Sequence, residues 1–337
     1  MAHALAHALA HALAGRDAGA NRPSHPGRGV AKLAAMSRHR TRSNAFPTAV
    51  PILGGVSELA RKYDGFILDI WGVIHDGVRP YPGAVACLRR LKAGGKRVAL
   101  LSNAPRRVAA LVQAMAAMGI PGELYHGVLS SGELAYQELR TRRDPWYAAL
   151  GRACYHLGPE RDKSMLEGLD LEPAARVEEA GFILNTGLDR DQESVADYEP
   201  VLAAGAARGI PMICANPDLE VVRGGRRIVC AGALAARYEA LGGEVRYHGK
   251  PDAPIYEACV ARLGGAAPER TVAVGDSLLT DIAGAQALGL DTVLVAGGIH
   301  GDALGVGEGG GLDARRLTEF CVRAGHMPTA AIPAFVW

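Results

Sequence analysis

The sequence has few aromatic residues, no long apolar run and no paired cysteines. Aromatic side chains make up 5% of its 337 residues, which argues against a surface that binds nucleic acid by stacking bases. It contains no run of about 18 apolar residues, so a membrane-spanning helix is excluded. The six cysteines are scattered without a C-x-x-C pair, and a zinc site is not expected. Such spacing is typical of buried, reduced thiols, and we predict a cytoplasmic protein.

Positive charge is concentrated at the N-terminus. Residues 1–50 contain seven Lys or Arg residues and one acid, so they contribute +6 to a formal net charge of +2, and residues 51–337 carry −4. A mildly acidic body does not favour a duplex-binding surface, and we expect no nucleic-acid partner. The sequence is instead rich in core-forming material, with 49% hydrophobic residues and 43 glycines for tight turns.

Residues 1–50 are predicted to be a disordered low-complexity tail. Residues 2–14 read AHALAHALAHALA, and Gly, Arg, Pro and Ser dominate the stretch that follows. Such a segment has too few large apolar side chains to form a core. It lacks the pattern of a secretory signal, but its Arg-rich, acid-poor composition leaves an organelle transit peptide open. Translation from Met36 is a further alternative.

The body alternates short apolar strands with helical segments. This pattern predicts an α/β fold with a doubly wound parallel sheet of the Rossmann-like type. The predicted strands are Phe66–Ile70, Arg97–Leu101, Gly181–Asn185, Pro211–Ala215, Thr271–Val274 and Thr292–Val295. The predicted helices are Ala84–Lys92, Arg106–Met118, Pro200–Arg208, Ala253–Leu263 and Asp281–Leu288.

Polar residues follow the strands, where ligands bind in parallel sheets. Asp69 ends the first strand, Ser102–Asn103 follows the second, and Asp276 follows a later one, with Lys250 and Asp281 at helix edges. Each alone is also typical of a turn, a helix cap or a solvated surface. Together, the carboxylates suit Mg²⁺, Ser102 and nearby amides suit a phosphate, and Lys250 supplies a positive charge. A carboxylate in such a site can attack phosphorus.

The order of these residues resembles the haloacid dehalogenase-like (HAD) phosphatase superfamily. The long insert between Ser102 and Lys250 resembles class IIA of that superfamily, as do Asn216–Asp218 and His248–Pro251. The resemblance covers about residues 55–300. It implies a HAD core with an inserted α/β cap domain, in which residues 51–124 and 246–337 form the core and residues 125–245 form the cap.

The resemblance also implies roles for the charged residues. Asp69 resembles the nucleophile and a Mg²⁺ ligand. The backbone carbonyl of Trp71 and the carboxylate of Asp276 would be the other protein ligands, supported by Asp281. Lys250 would neutralise charge on Asp69 and on the phosphate.

Further residues are implied to bind the substrate, a small phosphorylated metabolite. Ser102 and Asn103 would bind the phosphoryl group, and the cap would place Asn216 and Asp218 near the leaving group. Caps of this class often pair, so the resemblance also suggests a homodimer.

Trp71 departs from the family pattern, which has a second Asp two residues after the nucleophile. Indole has no group that titrates near neutral pH and cannot perform general acid–base catalysis. Three outcomes stay open: slow activity limited to good leaving groups, substitution by His75 or Asp76, or binding without turnover. We therefore expect a Mg²⁺-dependent phosphatase, with a non-catalytic phosphometabolite-binding or regulatory protein as the alternative. A nicotinamide-dependent oxidoreductase is rejected because no GxGxxG turn follows the first strand.

Three arginines offer a candidate second anion site. Arg223, Arg226 and Arg227 can meet a second anionic group of the substrate, although solvated surface positions are the simpler interpretation.

Overall fold

Two parallel sheets and one short β-hairpin organise the chain. The computed structural model describes residues 49–306 and 311–337, so the predicted tail lies outside the described residues except for its last two positions. The strands are β1 (Gly65–Asp69), β2 (Arg97–Ser102), β3 (Gly127–Ser130), β4 (Ala153–Leu157), β5 (Glu172–Pro173), β6 (Phe182–Asn185), β7 (Met212–Cys214), β8 (Glu220–Arg223), β9 (Arg226–Val229), β10 (Val245–Tyr247), β11 (Thr271–Gly275), β12 (Asp291–Val295) and β13 (Ala330–Ile332).

Helices separate most of these strands, as parallel pairing requires. They are α1 (Val56–Lys62), α2 (Ala84–Ala93), α3 (Val108–Ala117), α4 (Ser131–Thr141), α5 (Pro145–Ala149), α6 (Glu199–Ala207), α7 (Ala231–Ala240), α8 (Ala253–Arg262), α9 (Ala283–Ala287), α10 (Gly301–Leu304) and α11 (Ala314–Ala324).

The larger sheet has the order β13-β12-β11-β1-β2-β3, with every pair parallel. Strand β1 is buried along its whole length, because alternate side chains meet helices on opposite faces. Phe66 belongs to the cluster that holds Leu88 of α2, whereas Ile67 belongs to the cluster that holds Tyr256 of α8. Both faces are thus covered, which explains the near-continuous apolar run of this strand.

The smaller sheet has the order β10-β7-β6-β4-β5 and is also parallel. Ile183 of β6 packs with Leu202 of α6 and Leu234 of α7, while Phe182 packs in the cluster that holds Tyr136 of α4. Strands β8 and β9 form an antiparallel hairpin. This second layered unit has a core of its own.

The predicted α/β fold with doubly wound parallel sheets is confirmed. All six predicted strands are present, with ends that differ by at most one residue. The helix predicted from Arg106 begins at Val108, because Arg107 is extended and caps it. The helix predicted from Asp281 begins at Ala283, because a π-helical turn over Leu278–Ile282 precedes it.

Two composition-based expectations have structural counterparts. All six cysteines are free and buried. Among the described residues, no helix combines the length and the apolar character needed to cross a bilayer.

Candidate active site

Three neighbouring strands bring the predicted polar residues together. Strands β11, β1 and β2 are adjacent in the larger sheet. Asp69 is the last residue of β1, Ser102 is the last residue of β2, and Asp276 directly follows β11. Because the strands are parallel, these side chains converge at one edge of the sheet.

Three buried carboxylates form the centre of the site. Ligand atoms of Asp69, Asp276 and Asp281 lie within 4.8 Å of one another, and each residue is at most 7% exposed. Asp281 enters from the π-helical turn, where its Oδ2 accepts a hydrogen bond from the Ser277 amide at 3.0 Å. Asp276 Oδ2 accepts one from the Ile299 amide at 2.7 Å. Backbone amides thus hold both of these carboxylates in place.

Gly72 leaves room for this cluster. It has a φ of 75°, and a Cβ atom at this position would overlap the Asp276 carboxylate. Only glycine meets both requirements without strain or collision. The loop after β1 therefore packs closely against the Asp276 carboxylate.

Lys250 is the cation of the cluster. Its Nζ lies 2.7 Å from Asp69 Oδ1 and 2.7 Å from Asp281 Oδ1. The Lys250 amide donates to Asn103 Oδ1 at 2.7 Å, and Asn103 Nδ2 donates back to the Lys250 carbonyl at 3.2 Å. Asn103 therefore holds the Lys250 backbone while the ammonium bridges two carboxylates.

The charges in this buried cluster do not balance. Burial raises the pKa of Asp69 well above its ordinary value, and the charge of Asp281 raises it further. The same two causes raise the pKa of Asp276 to about 7. Burial would lower the pKa of Lys250, but Asp281 and Asp69 outweigh it and the pKa is raised. When all three carboxylates are ionised, one ammonium leaves an excess of two negative charges, which a hard divalent cation bound by these oxygen atoms would neutralise.

Asn103 also connects the larger sheet to the segment after β7. Its Nδ2 donates to Asp218 Oδ1 at 2.8 Å. The Asp218 amide in turn donates to Asn216 Oδ1 at 3.0 Å. Ser102 Oγ accepts from the Ala104 amide at 3.1 Å. Ser102 and Asn103, at the end of β2, therefore lie close to Asn216 and Asp218, which follow β7.

An open cavity borders Asp69, and its empty volume of about 790 Å³ includes space open to solvent. The predicted residues on its walls are Asp69, Trp71, Ser102, Asn103, Asn216 and Asp218. The remaining predicted residues are buried next to Asp69. Lys250 contacts both Asp69 and Asp281, and Asp276 belongs to the same cluster of carboxylates. The structure therefore brings every predicted site residue to one region.

Trp71 forms part of the cavity wall. Its ring meets the His75 ring edge-on, with centroids 5.4 Å apart. The Arg223 guanidinium lies 5.4 Å from the centroid of the Trp71 ring. His75 is buried, its Nδ1 accepts from the Gly77 amide at 3.0 Å, and burial lowers its pKa to about 4. A largely neutral His75 is thus poorly suited to replace the missing acid at neutral pH.

The arginines that line the cavity differ from the predicted set. Arg223 lines it, but Arg226 does not, and Arg227 pairs with Glu220 and donates to the Ile299 carbonyl. Arg106, Arg161 and Arg190 line it and are not among the predicted residues. Arg161 follows β4, a strand with a mixed burial pattern that the sequence does not predict, so no strand-end residue is expected there.

Comparisons with known proteins agree with this geometry. Residues 66–172 match a family model described as haloacid dehalogenase-like hydrolase, and residues 247–308 match one described as HAD-hydrolase-like. The chain is 30% identical over 246 residues to chronophin of Mus musculus, a match that covers 70% of this chain and 81% of that protein. The chain belongs to the haloacid dehalogenase-like hydrolase family.

Two further relatives support membership in this family. The glycerol-3-phosphate phosphatase of Homo sapiens is 30% identical over 262 residues, which cover 72% of this chain and 81% of that protein. A haloacid dehalogenase-like hydrolase from Brucella suis 1330 has a crystal structure with a TM-score of 0.71 at 35% identity, covering 84% of this chain and 100% of that chain. The predicted class IIA phosphatase-like type, and with it an enzyme of the phosphoric monoester hydrolase type, is confirmed at the level of the family.

Proposed function

We propose that the protein is a Mg²⁺-dependent phosphatase of a small phosphorylated metabolite, acting through an aspartyl-phosphate on Asp69. The observation that carries this proposal is the buried cluster of Asp69, Asp276 and Asp281 around Lys250. Its two excess negative charges call for a divalent cation at the base of the cavity. One relative is named glycerol-3-phosphate phosphatase, after a small phosphate ester.

Asp69 is the nucleophile of this proposal. Its Oδ1 accepts hydrogen bonds from the Ile70 amide at 2.8 Å and from Lys250. These contacts leave Oδ2 as the oxygen that attacks phosphorus, while the bond from phosphorus to the ester oxygen breaks. Water then attacks the phosphorus of the aspartyl-phosphate and releases inorganic phosphate. Lys250 stays charged next to the reacting group and offsets its negative charge.

The remaining predicted residues bind the cation and the substrate. Mg²⁺ would be held by Asp69, the Trp71 carbonyl and Asp276, and when bound it neutralises charge and polarises the phosphoryl group. Asp281 orients Lys250. Ser102 and Asn103 bind phosphoryl oxygens, and Asn216 and Asp218 lie toward the leaving group.

The two sheets support a division into a core and a cap. We assign residues 51–124 and 246–337 to the core, residues 125–245 to a cap domain that covers the cavity, and residues 1–50 to a tail. The larger sheet then carries the reacting groups, and the smaller sheet carries groups that select the substrate. A cytoplasmic location and a homodimer stay predictions, the first in keeping with six free cysteines.

Trp71 favours a second candidate function, a non-catalytic protein that binds phosphometabolites. Without a general acid, the leaving oxygen takes its proton from water, and a rate factor of about 10²–10⁴ is lost. Esters with good leaving groups suffer least from this loss. The geometry around Asp69 still favours turnover, because a protein that only binds phosphate needs no buried nucleophile beside Lys250.

A screen of phosphate esters with and without Mg²⁺ separates these candidates. We expect wild type to hydrolyse p-nitrophenyl phosphate and one or more metabolites only with Mg²⁺, and Asp69→Asn to be inactive. Saturable thermal stabilisation by a phosphometabolite without any hydrolysis would instead identify the binding protein. Full activity of Asp69→Asn would contradict both the nucleophile and the intermediate.

A further inference from the structure

The carboxyl ends of both parallel sheets face the same cavity. Asp69 and Ser102 stand at the ends of β1 and β2, and Asn216 follows β7 of the smaller sheet. Arg161 follows β4, and Asp191 follows β6. Because ligands bind at such edges, a substrate whose phosphoryl group lies at Asp69 extends toward the edge of the smaller sheet.

Four arginines line the cavity, and three of them are already paired, Arg190 with Glu193 at 4.0 Å. Arg106 Nε lies 3.0 Å from Asp162 Oδ1, and Asp162 is 2% exposed. Arg223 Nη1 lies 2.9 Å from both carboxylate oxygens of Asp191. Arg161 lines the same cavity, and no ion-pair partner for it occurs within residues 49–306 and 311–337.

The surroundings of Arg161 favour an anion rather than a lone cation. Arg161 is exposed at the cavity surface, yet desolvation by neighbouring groups lowers the pKa of its guanidinium, and the positive charges of Arg106 and Arg223 lower it further, against the opposing carboxylates of Asp162 and Asp191. The three ion pairs of Arg106, Arg190 and Arg223 cancel their own charges, which leaves one positive charge at Arg161. An anion from the ligand would complete the balance.

The position of Arg223 ties this cluster to the reacting groups. Its guanidinium lies over the Trp71 ring, and Trp71 is two residues from Asp69. One molecule of metabolite size can therefore contact Asp69 at one end and the arginine cluster at the other.

We propose that the substrate carries a second anionic group, a carboxylate or a second phosphate, which Arg161 binds at the edge of the smaller sheet. The proposal rests on the phosphatase function proposed above, because it takes the phosphoryl group to lie at Asp69. The planar guanidinium fork matches both kinds of anion with two parallel hydrogen bonds. Arg106 and Arg223 contribute positive potential, and their carboxylate partners hold them in place. Esters whose remainder is neutral leave Arg161 without a partner.

Three-carbon esters provide the test. Glycerol 3-phosphate has a neutral remainder, 3-phosphoglycerate adds a carboxylate, and 1,3-propanediol bisphosphate adds a phosphate. We would measure kcat/KM for each with wild type, and Kd for each by calorimetry with Asp69→Asn. The same measurements on Arg161→Gln and Arg161→Lys test the guanidinium, and Arg143→Gln, at an exposed arginine outside the cavity, is the matched control. Circular dichroism and thermal midpoints check folding.

We expect at least one of the two doubly anionic esters to be preferred over glycerol 3-phosphate by about tenfold or more. The ratio of kcat/KM for the preferred ester to that for glycerol 3-phosphate should fall about tenfold in Arg161→Gln, recover in part in Arg161→Lys, and stay at the wild-type value in Arg143→Gln. The ester with the larger ratio identifies the second group as carboxylate or phosphate.

Equal use of all three esters, or a preference that persists in Arg161→Gln, would overturn the proposal while leaving the phosphatase function intact. Binding that shows the preference in wild type and in Asp69→Asn without any hydrolysis would support Arg161 and contradict the phosphatase function. The two ideas therefore fail separately.

Discussion

Removal of the Lys250 ammonium tests the charge balance of the buried cluster. In Lys250→Met, a flexible apolar chain replaces the stem, but the ion pairs to Asp69 and Asp281, each 2.7 Å long, are lost. The side chains concerned are only 3%, 7% and 6% exposed. Breaking such a buried pair by removing one partner costs about 3–5 kcal/mol, because the remaining charges stay buried and uncompensated.

The assay is thermal unfolding without metal at pH 7. Each kcal/mol shifts Tm by roughly 2–4 °C for domains of 150–250 residues, so Lys250→Met should lose about 6–20 °C. Lys62→Met is the matched control, because its side chain is 60% exposed and pairs with Asp291 at 3.1 Å. Such a surface pair contributes about 0–1 kcal/mol. If Lys250→Met unfolds within a degree or two of Lys62→Met, the buried charges are not coupled as described.

Three other perturbations have defined outcomes. Trp71→Asp should raise kcat/KM for an alkyl ester such as glycerol 3-phosphate by up to about 10²–10⁴, and by less for p-nitrophenyl phosphate, since it supplies a titratable group beside the leaving oxygen; an unchanged or lower rate on both esters would show that the tryptophan is not what limits turnover. Gly72→Ala should weaken Mg²⁺ binding in calorimetry, because the new methyl group meets Asp276. Gly119→Ala is the control, since Gly119 has a φ of 80° and open space around it, and this change should not affect Mg²⁺ binding. Equal effects of the two substitutions would contradict close packing of the loop after β1 against Asp276. Burial lowers the pKa of His248 to about 4. Between about pH 6.5 and 4, His248 therefore stays neutral in the folded protein but takes up a proton in the unfolded chain. Stability should therefore fall as the pH drops from about 6.5 to 4, and urea titrations of His248→Gln should show a shallower fall; an identical pH slope would contradict this assignment.

Four strands of the larger sheet, β1, β2, β11 and β12, were predictable because this sheet is covered on both faces, whereas its edge strands β3 and β13 were not predicted. A strand such as β1 needs apolar side chains on both sides, so it reads as an uninterrupted apolar run. The apolar run ends where the polar residues of the site begin. Those same residues, Asp69 and Ser102, were found by the rule that ligands bind at strand ends.

Other elements gave weaker signals. In β4, only Cys154 and Leu157 are buried, so its pattern is mixed. The β8–β9 hairpin is half-exposed and rich in charge, although Gly224–Gly225 between its strands is a known hairpin signal. Because β4 was missed, the strand-end position of Arg161 was missed with it.

Contacts between distant segments were beyond any local pattern. The position of Lys250 beside Asp69 is implied by the family resemblance. No local sequence pattern predicts it, because the two residues are far apart in the chain. The burial of His75 against Trp71 is likewise set by packing. Sequence alone left His75 open as a replacement acid, and its buried, neutral state counts against that role.

The most direct test of the central claim is to locate the phosphoryl group after a rapid acid quench of wild type turning over p-nitrophenyl phosphate with Mg²⁺. We expect a hydroxylamine-sensitive acyl phosphate, found by peptide mass spectrometry on Asp69 and absent from Asp69→Asn. A phosphoryl group on any other residue, or steady hydrolysis with no phosphorylated enzyme, would contradict it.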